Sequence, residues 1–134
     1  MIMTQEEIIK YKNLYVQTAR AYLNDIQHHI ALLLKEPHNK DAVEIVHMAA
    51  HSLGSQSVMM EYKSIGTLSR LIEKIFRDKK DKASALDSEI LVTINACLKR
   101  MVVSVYEIEM KNKELDLSVE ITQLEQISGV KPEI

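Results

Sequence analysis

One cysteine, two prolines, three glycines, one phenylalanine and no tryptophan occur in 134 residues, and each scarcity excludes something. So few turn-forming residues cannot supply the frequent tight turns of a sandwich or barrel, or the glycine-rich loop of a dinucleotide-binding sheet. Cys97 has no second cysteine for an internal disulfide and no companion thiolates for a metal site, which favours a reducing compartment. Charge of one sign is also lacking: 17 Lys plus Arg against 19 Asp plus Glu give a net of −2, so the electrostatic footprint of a nucleic-acid binder is missing. No window approaches the roughly 18 apolar residues of a membrane span, and the N-terminal MIMTQEEII has no basic segment followed by an apolar run. The expectation is a cytoplasmic chain with neither nucleic-acid nor membrane partners.

What is abundant is helix-forming sequence, with 46% hydrophobic and 27% charged residues. The length fits one domain over residues 1–134. Thr4 is an N-cap candidate with Glu7 as its capping-box partner. From there Ile8, Tyr15, Ala19, Tyr22, Ile26 and Leu33, flanked by Ile9, Val16, Leu23 and Ile30, recur at the three-and-four spacing of a buried stripe. Pro37 and Asn39 end that helix near Lys35. At about 1.5 Å per residue it exceeds 40 Å and can brace a whole bundle. A second helix begins near Asp41, sends Val43, Val46, Ala50, Leu53 and Ser57 inward, and runs into the Gly54–Met60 region. A third, over Tyr62–Arg77, buries Ile65, Leu68, Ile72, Ile75 and Phe76 and carries Arg70, Glu73 and Arg77 on its other face.

The mixed-charge stretch RDKKDKAS reads as a loop ending in a cap at Ser84 or Asp87. A fourth helix over Ala85–Asn112 has Ile90, Ile94, Leu98, Met101, Val105 and Ile108 in register. Leu117, Ile121 and Leu124 mark a shorter fifth. Short connections between long amphipathic helices predict an all-α, up-and-down antiparallel four-helix bundle with an additional short C-terminal helix.

On the second helix, His47, His51 and Ser55 share the face opposite the core stripe. His51 is bordered by Ser52, Gly54 and Ser55, small residues that leave room for another protein to approach the ring. A neutral imidazole is a nucleophile. An exposed histidine is more often an ordinary surface residue, so spacing alone does not assign chemistry. The pair His47 and His51, one turn apart, has the spacing of a two-histidine metal grip, but Met48 stands where a hydrolytic zinc helix needs Glu, and no third ligand is evident. No metal is expected. His28, His29 and His38 suit surface or helix-end roles, and Cys97 suits a small buried apolar one.

The segment Ala49–Ile75, AAHSLGSQSVMMEYKSIGTLSRLIEKI, resembles the histidine phosphotransfer domain, most closely the version at the N-terminus of chemotaxis histidine kinases. His51, Ser52, Leu53, Met59, Met60, Tyr62, Ile65, Leu68 and Glu73 fall where the family pattern places them, with Glu twenty-two residues after the histidine. The resemblance implies a phosphorelay intermediate of two-component signalling. In it, His51 takes a phosphoryl group and passes it to an aspartate of a response-regulator receiver domain, and Glu73 holds the other ring nitrogen.

A histidine kinase catalytic domain would be the other partner, and the receiver would bring the metal ion, so the bundle needs no cofactor. The chain has no glycine-rich nucleotide loop or kinase signature, which makes it a carrier and not an autonomous catalyst. Three positions depart from the pattern: Gly54 replaces the family's Lys, and Ser55 and Glu61 replace glycines. Without that Lys, Arg70 is the first candidate for offsetting phosphoryl charge, ahead of Arg77 and Lys63, although Arg70 and Glu73 are also spaced for a surface ion pair. The departures motivate an alternative: a degenerate phosphotransfer bundle that docks on a receiver domain or kinase without being phosphorylated.

Overall fold

The structure, a computed structural model, describes residues 2–82 and 86–131. Five helices follow in chain order: α1 (Gln5–Lys35), α2 (Lys40–Met59), α3 (Lys63–Lys82), α4 (Ser88–Lys111) and α5 (Ser118–Ser128). Among the described residues there is no strand. The predicted capping box starts α1: Thr4 Oγ1 accepts from the Glu7 amide at 3.1 Å, and the Glu7 carboxylate accepts from the Thr4 amide at 3.2 Å. Asn39 caps α2 by accepting from the Ala42 amide. Asp87, one of the two cap candidates, starts α4 by accepting from the Glu89 amide at 2.7 Å. The other, Ser84, lies outside the described residues, as does the predicted first residue Ala85.

Side-chain bonds fix the directions of the helices. Tyr15 near the start of α1 shares a buried 2.8 Å hydrogen bond with Ser57 near the end of α2. Lys12 donates to Asn112 just past α4 at 2.7 Å, and Arg20 makes a bidentate pair with Glu109. Both neighbours of α1 are therefore antiparallel to it. Burial lifts the Tyr15 phenol far above its ordinary titration range, against the opposing pull of the Ser57 bond, so the hydroxyl stays a neutral hydrogen-bonding group. α3 and α4 touch each other little, and α5 packs against both, burying Leu124 completely beside the equally buried Leu117. The C-terminal helix thus closes the fourth side of the bundle and is part of its core.

Two sequence expectations need correction. The stretch read as a loop from Arg77 is helical as far as Lys82. Lys and Arg are good helix formers, and a run of mixed charge with neither Gly nor Pro gives a helix no reason to stop. Ile8 and Ile9, placed on the buried stripe, are 48% and 52% exposed. α2 ends opposite Tyr15, so the first turns of α1 overhang the bundle and their apolar residues find no neighbour. The N-terminus of α3 is held from a distance, because the Glu114 carboxylate accepts from the Ser64 and Ile65 amides at 3.1 and 3.2 Å. Two orphan amides and the positive end of the helix are satisfied together by a residue from the α4–α5 connection.

The turn between α2 and α3 carries backbone strain. Glu61 donates its amide to Val58 O, and Tyr62 donates to Ser57 O, the pair of bonds that closes a helix through a left-handed residue. That residue is Glu61, with φ of 67°, at the position where the family pattern has glycine. A β-carbon in this region costs about 1–2 kcal/mol, of which glycine's larger unfolded-state entropy cancels part. Glu61→Gly is therefore expected to stabilise the protein by roughly 0.5–1 kcal/mol, read as a higher urea midpoint at unchanged slope.

Candidate functional site

The α2–α3 hairpin is packed closely because small residues line its seam. A β-carbon on Gly66 would lie 2.8 Å from Val58 Cγ2, and one on Gly54 would lie 3.2 Å from Arg70 Cγ and 3.4 Å from Ser69 Cβ. Ser69, buried in the same seam, donates its hydroxyl back to Ile65 O and so brings no unmet polar group. Val58 faces Gly66, Gly54 faces Arg70, and about one turn further on His51 faces Glu73, all in one antiparallel register.

His51 Nδ1 and Glu73 Oε2 are 2.9 Å apart. A carboxylate only accepts hydrogen bonds, so Nδ1 is the protonated nitrogen and Nε2 keeps the lone pair. The His51 side chain is 56% exposed while that of Glu73 is 16% exposed: the ring reaches solvent, and its anchor is mostly shielded from it. Shielding strengthens the bond, because water competes less for the carboxylate.

Around the ring, His51, Ser55, Arg70, Glu73, Lys74 and Arg77 line one shallow cavity of about 330 Å³. Three cations against one carboxylate make it attractive to an anion. Arg70 makes no ion pair with any described residue, and Glu73 is paired with imidazoles instead. The surface pair of Arg70 with Glu73, one of the two arrangements their spacing allowed, does not form. Lys63 is not among the lining residues. Lys74 is, and sequence reasoning passed over it, although it stands four residues after Arg70 and three before Arg77 on one helical stripe.

Two residues assigned to an exposed binding surface are not there. Gly54 is buried, because α3 crosses directly over it and the aliphatic stem of Arg70 occupies the space a side chain would fill. His47 is only 16% exposed at its side chain, and both of its ring nitrogens are buried without a hydrogen-bond partner. It sits at the edge of the seam, where a helical wheel drawn for α2 alone cannot show how much α3 covers. Ser55 is exposed and Ser52 half-buried. His47, His51 and Glu73 do come together, yet no cluster among the described residues is arranged to hold a metal ion. Cys97 is buried, and burial pushes its thiol up to about 11, which suits the apolar role and not a nucleophile.

A family model described as Hpt domain matches residues 10–127. The chain belongs to the Hpt (histidine phosphotransfer) domain family. No curated protein and no solved structure gives a match. Hpt domains serve phosphotransfer in two-component signalling, working with kinases and receiver domains. The match runs from the second turn of the first helix to the penultimate residue of the fifth, so nearly all of the closing helix α5 lies within the Hpt region. No helix among the described residues is long and apolar enough to cross a membrane.

Proposed function

We propose that this Hpt domain is a phosphorelay intermediate with His51 as the phosphoacceptor, Glu73 as the residue that orients it, and Arg70 as the cation that offsets phosphoryl charge. The observation that carries the proposal is the 2.9 Å bond from His51 Nδ1 to Glu73 Oε2, which directs the lone pair to Nε2 on an exposed ring. In the first step Nε2 attacks phosphorus in the phosphodonor held by a histidine kinase. The N–P bond forms as the bond from phosphorus to the donor's leaving oxygen breaks, and that oxygen keeps the electron pair. Nδ1 retains its proton, and Glu73 balances the positive charge that develops on the ring. In the second step a receiver aspartate oxygen attacks the same phosphorus, and the N–P electron pair returns to Nε2.

Such chemistry asks mainly for positioning and charge compensation. The partner is a protein surface, and the flank of the site suits one: Met48, one turn from His51, is 52% exposed, with Ile45 also exposed further along the same helix. Labelled ATP with a cognate kinase is expected to give an acid-labile, base-stable phosphoprotein whose label maps to the peptide containing His51. A label on a different residue, or none with any kinase that phosphorylates other Hpt domains, counts against the assignment.

The departure at Gly54 has a physical counterpart in Arg70. The family's Lys would stand where the Arg70 stem now lies, so the positive charge reaches the cavity from α3 in place of α2. Arg70→Ala is expected to slow transfer to a receiver about 5-fold, equivalent to roughly 1 kcal/mol for a solvent-screened, charge-assisted contact. Adding Gly54→Lys to that variant, where the space has been vacated, is expected to recover most of the rate, read as a second-order rate constant.

A further inference from the structure

One turn before His51, a second imidazole lies against the same carboxylate. His47 Nε2 is 3.9 Å from Glu73 Oε2, the oxygen that accepts from His51 at 2.9 Å. Both nitrogens of His47 are buried with no hydrogen-bond partner. Its neighbours Val46, Ala50 and Leu53 supply the apolar packing of α2, so the seam could have been filled without placing a polar ring in it. A buried polar group that meets no partner destabilises a fold, and one in a native site calls for a reason.

Glu73 supplies the reason. Its carboxylate is mostly buried, and the hydrogen bond that fixes it is the one from His51. A carboxylate has lone pairs for several donors, and a single bond leaves it free to swing about its side-chain torsions. At 3.9 Å, His47 is beyond hydrogen-bond range but within reach after a small torsional change. A second donor holds the carboxylate in place, so that it stays aimed at Nδ1 as positive charge develops on the His51 ring and is lost again.

We propose that His47 is a positioning residue: its Nε2–H is the second donor to Glu73 and keeps that carboxylate aimed at His51 Nδ1 while the phosphoryl group comes and goes. The proposal rests on the His51–Glu73 assignment above. It requires neutral His47 to carry its proton on Nε2, with the lone pair on Nδ1, and His51 to be the opposite tautomer.

The test begins with the wild-type chain and needs no phosphorylation, so it is separable from the question of whether His51 is the acceptor. Long-range ¹H–¹⁵N correlation spectra of the imidazoles are expected to show His47 as the Nε2–H tautomer and His51 as the Nδ1–H tautomer. His47 with a bare Nε2 overturns the proposal. Variants then read the consequence. His47→Phe keeps a ring in the seam but removes the donor, and His47→Gln keeps an N–H near the position of Nε2. His47→Phe is expected to move the His51 nitrogen signals toward a mixture of tautomers and to lower kcat for phosphotransfer on the order of 10-fold, as loss of a supporting partner does elsewhere, with KM unchanged because His47 is shielded from a docking protein. His47→Gln is expected to restore both. Wild-type His51 signals and kcat in His47→Phe, or a Gln variant no better than Phe at equal folded fraction by circular dichroism, overturn the proposal.

Discussion

Replacing His51 by glutamine is expected to abolish phosphoryl labelling while leaving the bundle intact. The amide nitrogen of glutamine has its lone pair delocalised into the carbonyl and does not attack phosphorus, but its N–H groups still reach a carboxylate. Glu73 keeps a partner, and the 56% exposure of residue 51 means that no core contact is lost. Stability is expected to change by no more than about 0.5 kcal/mol, a shift of roughly 2 °C or less in Tm, so loss of label is not loss of fold. Four other histidines, His28, His29, His38 and His47, act as internal controls. Label persisting in His51→Gln on any of them shows that the acceptor was misassigned. A wild-type chain that binds a receiver domain yet is never labelled is the docking protein of the alternative hypothesis, and then the substitution changes nothing.

The departures that motivated that alternative look different once α3 is in place. Gly54 and Glu61 read in the sequence as missing family residues, and only the neighbouring helix and the backbone angle show what each does. Gly54 admits the stem of Arg70. Glu61 holds a left-handed turn at a cost in stability and lies past the C-terminal end of α2, more than two helical turns from His51. Neither interferes with the geometry of His51 and Glu73.

The core was legible for the usual reason: Ala19, Val46, Leu68, Ile94 and their periodic companions must face inward in any packing of these helices. The pairing of His51 with Glu73 was legible through the family pattern, since the twenty-two residue spacing spans a helical hairpin. Features that depend on how closely two helices approach were not. His47 and Gly54 share the solvent side of an isolated α2, and the small residues of the seam bring α3 close enough to cover them. Ile8 and Ile9 have the right period but extend past the end of their neighbour. The cap of α3 comes from Glu114, fifty residues along the chain, where a search for a local Ser, Thr, Asp or Asn does not look. Arg77 and its charged successors marked a loop by composition, yet charge on a solvated helix face is no obstacle to helix continuation.

Substitutions at Glu73 separate orientation from charge. Glu73→Ala removes the acceptor of the Nδ1–H bond, so the imidazole loses both its preferred ring orientation and the constraint that keeps the lone pair on Nε2. A hydrogen bond to a charged group contributes about 1.5–3 kcal/mol, and each 1.4 kcal/mol is tenfold in rate, so phosphotransfer is expected to fall roughly 10- to 100-fold. Glu73→Gln retains a carbonyl oxygen that accepts from Nδ1–H and loses only the negative charge that offsets the developing imidazolium. Its rate is expected to lie between those of the wild type and the alanine variant. The same ordering is expected in the imidazole ¹⁵N spectrum: one His51 tautomer in the wild type and in Glu73→Gln, and a mixture in Glu73→Ala. The KM for a receiver domain is expected to stay constant across the series, because Glu73 is shielded and the docking face proposed above is that of α2. Equal rates in wild type and Glu73→Ala would mean that the exposed ring finds its reactive orientation unaided, and that the 2.9 Å bond serves the hairpin and not the chemistry. A glutamine variant as slow as alanine, with its tautomer intact, would place the whole effect in the charge of Glu73 and none in its aim.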